Sequence, residues 1–330
     1  MITNEYPQFA ADIFFVFINV CMNKGYYIYR IHSKVDAMSK FIDLEKLIKG
    51  EKNSLAQIRN YFKVSHWAYK LFHSQDGFMH FRISKSGTFT DEDIYHQPDA
   101  IADYIKAGDT VLELGCGQGA NIMYLAYGFP ESRFVGVDLI PLKKDQMPQN
   151  VTIYEQDYSS IPQLADNSVD VCYAVETIVH NTDKEKIYRE VYRVLKPGGV
   201  MIIYDYALAA SYSTYDPKIQ MAIALTSKGG SAAMFESLDE LNTHYTNCGF
   251  EIEKITDYTQ ETLPDLKHLQ RSANWTMNHP WMWKIQYALM PKQFVTNHIL
   301  GWLGYDAGKA GIGYYIEWVL RKDRDRKSVV

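Results

Sequence analysis

The sequence has four cysteines, at positions 21, 116, 172 and 248, and they form no Cys-x-x-Cys pair. This scatter argues against a structural metal site and against a disulfide framework, so we expect a reducing, cytoplasmic environment. No group of His, Asp and Glu has metal-ligand spacing, so we predict no metal. The formal charge is −5, which gives no electrostatic basis for binding nucleic acid.

The sequence also lacks a hydrophobic run long enough to span a bilayer. The most apolar stretch is Ile13–Val20, and acidic Glu5 and Asp12 precede it, unlike the positive charge of a signal peptide. A buried helix is the favoured interpretation of this stretch, and an interfacial helix in peripheral contact with a membrane is the alternative. The sequence leaves open whether the protein assembles into a homo-oligomer.

The two parts of the 330-residue sequence differ in pattern. Residues 1–88 have apolar positions at helical spacing and predict a helical region that contributes to the substrate pocket. Residues 89–330 contain short β-branched runs that alternate with helical segments, which predicts parallel strands joined by crossovers, a doubly wound α/β fold. The motif Pro197–Gly199 predicts a helix end followed by the start of the fifth strand. Two predicted insertions, at about 207–236 and 261–310, are expected to form helical lids over the ligand crevice.

A glycine-rich segment, Glu113–Gly119 (ELGCGQG), follows an apolar run and precedes a predicted helix. Glycines there permit a tight turn and a close approach of the backbone to a ligand. A dinucleotide could bind at such a turn as well as an adenosyl ligand, so the residues that follow the turn have to distinguish the two ligands. Asp138 ends the second predicted strand, where its carboxylate can accept hydrogen bonds from both ribose hydroxyls of an adenosyl ligand. Asp157 ends the third predicted strand, next to the expected adenine.

The E-L-G-C-G-x-G motif, with its spacing to Val-Gly-Val-Asp138 and to the Leu-Lys-Pro-Gly-Gly199 segment, resembles class I methyltransferases. The resemblance implies a seven-stranded Rossmann-like sheet and S-adenosyl-L-methionine as the cofactor. It places Glu113, Gly115 and Gly117 at the methionine part of the cofactor and Asp138 at the ribose. The full set of implied cofactor-binding residues is Glu113, Gly115, Cys116, Gly117, Asp138, Leu139, Asp157, Tyr158 and Val175.

Two further segments, 173–181 and 188–199, are similar to the C-methyltransferases that act on sterol side chains, and residues 77–81 (GFMHF) resemble them more loosely. This likeness implies a small hydrophobic substrate and a role in sterol, isoprenoid or other lipid metabolism. Methylation of an alkene leaves a carbocation, which requires negative potential and a base that removes a proton. Glu176 is the first candidate for this role, followed by His180 and His80. The alternatives are that Glu176 organises the amino group of the cofactor and that the histidines are merely packed.

Aromatic residues make up 14% of the sequence, and four of the six tryptophans lie within residues 275–302. We expect two aromatic walls of an apolar pocket, although an aromatic stripe can equally be core. The first wall is expected to include Trp67, Tyr69, Phe78 and Phe81, and the second Trp281 and Trp283.

Three functions are therefore compatible with the sequence. The favoured one is C-methylation of an alkene in a sterol, prenyl or other lipid-like substrate. The second is O- or N-methylation of a small aromatic metabolite, with Glu176 or His180 as an ordinary general base. The third is a non-catalytic module that binds the cofactor or a lipid.

Overall fold

The computed structural model describes residues 6–49, 56, 58, 59, 62, 74, 76–140, 147–289 and 292–324. A mixed β-sheet forms its centre, with strand order β3-β2-β1-β4-β5-β7-β6. The strands are β1 (Thr110–Leu114), β2 (Arg133–Asp138), β3 (Val151–Glu155), β4 (Val169–Val175), β5 (Leu195–Leu208), β6 (Phe250–Asp257) and β7 (Gly313–Lys322).

Strands β1 to β5 are parallel, and β7 is antiparallel to both of its neighbours. The inner parallel strands are covered on both faces, which is why β1 and β4 read as nearly continuous hydrophobic runs. The chain reverses its direction of winding between β1 and β4, and ligands bind at the carboxyl ends of strands at such a point. The predicted doubly wound, seven-stranded Rossmann-like sheet is confirmed.

The start of β5 differs from the sequence prediction. Pairing with β4 begins at Leu195, immediately after the preceding helix, so Pro197–Gly199 lies inside the strand. Gly198 has a φ of 78°, and the register between the two strands shifts near Val169. Leu195 and Val200, on either side of the glycine pair, are both paired with β4, so the two glycines stay in the sheet as an irregularity of the strand.

Helices cover the two faces of the sheet. They are α3 (His96–Ala102), α4 (Ala120–Gly128), α5 (Lys184–Val194) and α7 (Leu238–Asn247). Helix α5 buries Ile187, Tyr188 and Val191 on one side, as its 3.6-residue periodicity predicts. Helix α7 begins with a capping box in which Ser237 and Glu240 bond each other's backbone N–H groups.

A second group of helices lies beyond the carboxyl edge of the sheet. It comprises α1 (Tyr6–Ser39), α2 (Leu44–Ile48), α6 (Pro217–Gly229), α8 (Thr259–Met277), α9 (Pro280–Leu289) and α10 (Lys292–Ala310). Helix α6 lies within the first predicted insertion, and α8 to α10 fill the second. These helices share a separate hydrophobic cluster, to which α1, α6, α8 and α10 contribute. Both predicted insertions therefore contain helices, and their role as lids stays a prediction.

Ion pairs join the N-terminal helix α1 to α10. The carboxylate of Asp306 is fully buried and lies 2.8 Å from Lys34 Nζ and 3.4 Å from Arg30 Nε. Stretch 13–20 belongs to α1, but its side chains lie outside the described residues, so its predicted burial stays a prediction. Among the described residues, no helix combines the length and the hydrophobicity needed to cross a lipid bilayer.

Candidate active site

The segment after β1 folds as a tight turn whose backbone conformation strongly favours glycine. Gly115, Gly117 and Gly119 have φ values of 65°, 50° and 79°, in the left-handed region. A Cβ atom at Gly115 would overlap Thr177 Oγ1 and lie 2.6 Å from Thr177 Cβ. The turn therefore brings the bare backbone against the end of β4, and it opens α4 as the sequence predicted.

Asp138, at the end of β2, is oriented by the backbone. Its Oδ2 accepts a hydrogen bond from Gly117 N at 2.8 Å, and its Oδ1 accepts one from Ile140 N at 2.8 Å. Burial raises the pKa of this carboxyl group. The carboxylate of Asp138 thus links the glycine turn to the segment after β2. Asp138, Cys116 and Leu139 line one cavity, which is described below.

The segment after β3 and the end of β4 supply further predicted residues. Asp157 accepts hydrogen bonds from the backbone N and the hydroxyl of Ser159, at 2.8 Å and 2.9 Å. Tyr158 is buried, and its hydroxyl donates to Thr177 O at 3.0 Å. Both residues line the cavity, together with Val175.

Glu113 is buried within β1 and borders the same cavity. Burial raises the pKa of its carboxyl group to about 8. In the part of the protein that the structure describes, its Oε2 has no hydrogen-bond partner. A buried carboxylate oxygen of this kind suits a ligand that carries an ammonium group.

Glu176 follows β4 directly and has a φ of 49°, a conformation that residues other than glycine rarely adopt. Its Oε1 accepts hydrogen bonds from Phe81 N at 2.6 Å and from Tyr315 Oη at 2.8 Å. Its Oε2 accepts one from the hydroxyl of Tyr206. Burial raises the pKa of Glu176 to about 8, although these three donors act to lower it.

The two candidate histidines also line the cavity. His180 lies in the short 3₁₀-helix Ile178–His180, and its Nδ1 is 3.1 Å from Ser231 O. Burial lowers the pKa of this imidazole, although hydrogen bonds to the Ser231 and Glu176 backbone act to raise it. His80 has Nδ1 3.1 Å from Phe81 O and Nε2 3.2 Å from Asn121 Oδ1. A role as base would require either histidine to give up one of its contacts.

One cavity of about 460 Å³ joins all of these residues. It runs from the glycine turn past Glu176 into an apolar lobe between α6, α8 and α10. Aliphatic side chains from the three helices line this lobe, among them Ile219, Ile223, Leu266, Leu269, Leu300 and Leu303. The cofactor crevice and a hydrophobic compartment are therefore continuous, and Glu176 lies where they meet.

The structure brings only some of the predicted aromatic residues to this cavity. Phe78 and Phe81 line it, whereas Trp283 is buried in the hydrophobic cluster of the outer helices and is not among the lining residues. Trp67 and Tyr69 lie outside the described residues, as does the side chain of Trp281.

Several aromatic residues among those that line the cavity were not predicted from the sequence. Tyr206, Tyr315 and Phe235 line it around Glu176, and the rings of Tyr206 and Tyr315 lie 5.4 Å apart. These two tyrosines are direct partners in the β5–β7 register. The signal was available, because Tyr206 ends the fifth predicted strand at the same sheet edge as Glu176.

Comparison with known proteins matches residues 112–203 to the methyltransferase domain family. Sterol 24-C-methyltransferase of Pneumocystis carinii is 29% identical over 198 residues, covering 56% of this chain and 51% of that protein. The enzyme of the same name from Saccharomyces cerevisiae is 30% identical over 194 residues, covering 52% and 49%. The chain therefore spans about half the length of the curated relatives it matches.

Solved structures show the same fold across more of the chain. Geranyl diphosphate C-methyltransferase from Streptomyces coelicolor, in complex with Mg²⁺, geranyl diphosphate and S-adenosyl-L-homocysteine, superimposes with a TM-score of 0.56 at 14% identity. The match covers 79% of this chain and 98% of that one. Together these similarities confirm the predicted resemblance to class I, S-adenosylmethionine-dependent methyltransferases and, among them, to sterol C-methyltransferases.

Proposed function

We propose that this protein transfers a methyl group from S-adenosyl-L-methionine to an alkene carbon of a sterol, prenyl or other lipid-like substrate. The observation that carries the proposal is the continuity of the glycine-turn crevice with an apolar lobe at Glu176. The lining residues of α8 run from Thr259 to Ala273, about 21 Å along the helix at 1.5 Å per residue. A compartment of that length suits an extended hydrophobic molecule. The sterol and prenyl C-methyltransferases among the similar proteins support the same substrate class.

The residues of the crevice fit the proposed cofactor. The unpartnered Glu113 Oε2 suits its ammonium group, and the glycine turn presents bare backbone to the cavity at Gly115 and Gly117. Asp138 would hold the ribose, and Asp157 and Tyr158 would lie beside the adenine. When bound, the cofactor supplies a strongly electrophilic methyl group on a cationic sulfur.

The chemistry that remains for the protein takes place around Glu176. The π electrons of the alkene would form the new bond to the methyl carbon while the sulfur–methyl bond breaks and leaves its electron pair on a neutral sulfur. The other alkene carbon would become cationic. The carboxylate of Glu176 and the faces of Tyr206, Tyr315 and Phe81 supply negative potential there. A proton is then lost from a carbon next to the cation, and its electron pair restores a double bond. We assign this proton to Glu176 first and to His180 second.

Two other functions make different predictions. An O- or N-methyltransferase of a small aromatic metabolite would use Glu176 or His180 as a base and would leave the lobe between α6, α8 and α10 unfilled. A non-catalytic binding protein would retain the cofactor without turnover.

Incubation with methyl-labelled cofactor and a panel of acceptors separates the three functions. The panel contains sterols and prenyl alcohols as lipid alkenes, and phenols and aromatic amines as polar metabolites. Label in a lipid alkene supports the proposal, and label confined to a phenol or an amine contradicts it. Tight cofactor binding without label in any acceptor would favour the binding module.

A buried helix stays the favoured interpretation of the apolar stretch 13–20, and as the alternative we propose that this stretch collects the substrate at a membrane surface. Sedimentation with phosphatidylcholine vesicles tests this, since a variant with two of these residues changed to serine should remain in the supernatant. The same samples in analytical ultracentrifugation without lipid would show whether the protein forms a homo-oligomer.

A further inference from the structure

One buried polar side chain touches the Glu176 network but has no part in the proposed chemistry. Gln97, in the first turn of α3, is fully buried and is not among the residues that line the cavity. Its Nε2 donates hydrogen bonds to Phe81 O at 2.6 Å and to Tyr315 Oη at 3.1 Å. Both partners belong to residues that also bond Glu176.

The chemistry of these groups fixes the orientation of the Gln97 amide. A backbone carbonyl only accepts hydrogen bonds, so the amide NH₂ must face Phe81 O. This orientation leaves Gln97 Oε1 without a hydrogen-bond partner among the described residues. The second hydrogen of the same NH₂ group then points to the hydroxyl of Tyr315.

The Gln97 amide in turn sets the direction of the next hydrogen bond. Because the Tyr315 oxygen accepts a hydrogen from Gln97, its own hydrogen is directed to Glu176 Oε1, 2.8 Å away. The N–H of Phe81 donates to the same oxygen. Oε1 is thus held as an acceptor on both sides. Among the described residues, no donor constrains Tyr206 in this way, so its hydroxyl can donate to an ionised Glu176 or accept from a protonated one.

We propose that Gln97 is a positioning residue that fixes the Tyr315 hydroxyl as a donor to Glu176 and so favours ionisation of Glu176 when a cationic ligand enters the cavity. This inference rests on the proposed function, because the cation is the sulfonium of the cofactor. Without the Gln97 amide, Tyr315 could rotate and accept a hydrogen from protonated Glu176. The neutral carboxyl group of Glu176 would then have an acceptor, the Tyr315 oxygen, that is not open to it in the native network.

Other titratable groups surround Glu176 and must be separated from it. They are Asp205 and Tyr206 of β5, Tyr315 of β7, His180 of the 3₁₀-helix, which also bonds the Glu176 backbone, and His80 of the segment before α3. Asp205 is buried and raises the pKa of Glu176 by like-charge repulsion. The test therefore has to isolate the response to positive charge on sulfur.

Calorimetry in buffers of different ionisation enthalpy counts the protons released when a ligand binds, and it needs no identified acceptor. S-adenosylmethionine and S-adenosylhomocysteine differ in the charge on sulfur, so the difference between them reports groups near that charge. A Glu176 with a pKa of about 8 is largely protonated at neutral pH. The wild type should therefore release one more proton with the sulfonium ligand than with S-adenosylhomocysteine, because any response of Glu113 to the ammonium group is common to both ligands. In Gln97→Met, the pH range of this release should move upward by about one unit.

Gln270→Met is the matched control, because Gln270 is also a buried glutamine that donates to a backbone carbonyl, that of Trp302, at 2.9 Å. It should leave the pH profile of proton release unmoved. Tyr315→Phe should shift the profile as Gln97→Met does, and the double variant should shift it no further. Should the methionine variant fail to fold, Gln97→Leu removes the same NH₂ group without adding a charge, so the same upward shift is expected.

A wild-type profile in a folded Gln97 variant would overturn the positioning role, as would additive shifts in the double variant. Failure of the wild type to bind either ligand would instead refute the proposed function.

Discussion

Substitution of Gly115 by alanine tests the close approach on which the cofactor turn depends. The variant forces a residue with a side chain to keep a φ of 65°, which costs about 1–2 kcal/mol. Its Cβ would also lie 2.6 Å from Thr177 Cβ and overlap Thr177 Oγ1, and such overpacking costs about 1–3 kcal/mol more. We therefore expect Gly115→Ala to lower the free energy of unfolding by about 2–5 kcal/mol.

Gly108→Ala is the matched control, because Gly108 also has a positive φ, of 87°. No atom lies within 4 Å of the position that its Cβ would take, so this variant measures the backbone cost alone. It should lose only about 1–2 kcal/mol and bind S-adenosylhomocysteine as the wild type does. Urea unfolding followed by circular dichroism gives the two free energies, and calorimetry gives the two affinities. Equal losses of stability in the two variants, or wild-type affinity in a folded Gly115→Ala, would refute the reasoning.

Three further predictions follow from the buried charges. Glu176→Gln should slow methyl transfer to the true acceptor by more than tenfold, a barrier change above about 1.4 kcal/mol, in a single-turnover assay; a smaller effect rules out its catalytic role. The same variant should be more stable than the wild type without ligand, because the pKa of Glu176 is raised from 4.5 to about 8. Between these two pH values Glu176 is ionised in the unfolded state and protonated in the folded state. The gain in free energy of unfolding of Glu176→Gln over the wild type should therefore grow with pH to the order of 4 kcal/mol in urea titrations. A gain that does not depend on pH would contradict this. Asp306→Ala should destabilise the fold by about 3–5 kcal/mol, because it leaves Lys34 buried beside α10 without its partner; a loss below about 1 kcal/mol in the same titration would show that the pair is not effectively buried.

The sheet and the cofactor crevice could be predicted from sequence because their signals are local. Buried parallel strands are short apolar runs, and the turn after β1 needs glycine at fixed positions. The carboxylates of Asp138 and Glu176 follow directly, since each comes at the end of such a strand. The irregular start of β5 was not predictable in this way, because the glycines of Pro197–Gly199 suggest a turn and only strand pairing holds them in the sheet.

The substrate side of the cavity depends on contacts that are distant in sequence. Trp283 was expected at a pocket wall, but which side of a helix meets the cavity is decided by its neighbours, and here the residue packs into the cluster of outer helices. Tyr315 acts near Glu176 because β7 runs antiparallel beside β5, which a single-strand pattern does not reveal. Gln97 gave no signal, since a glutamine in a short helix has no characteristic spacing.

The central claim is that the methyl group is joined to carbon at the junction of the crevice and the apolar lobe. Nuclear magnetic resonance of the product formed from ¹³C-methyl cofactor tests it most directly, because it shows which atom carries the new methyl group. We expect a methyl carbon bonded to a former alkene carbon of a lipid. A methyl bonded to oxygen or nitrogen would contradict the account.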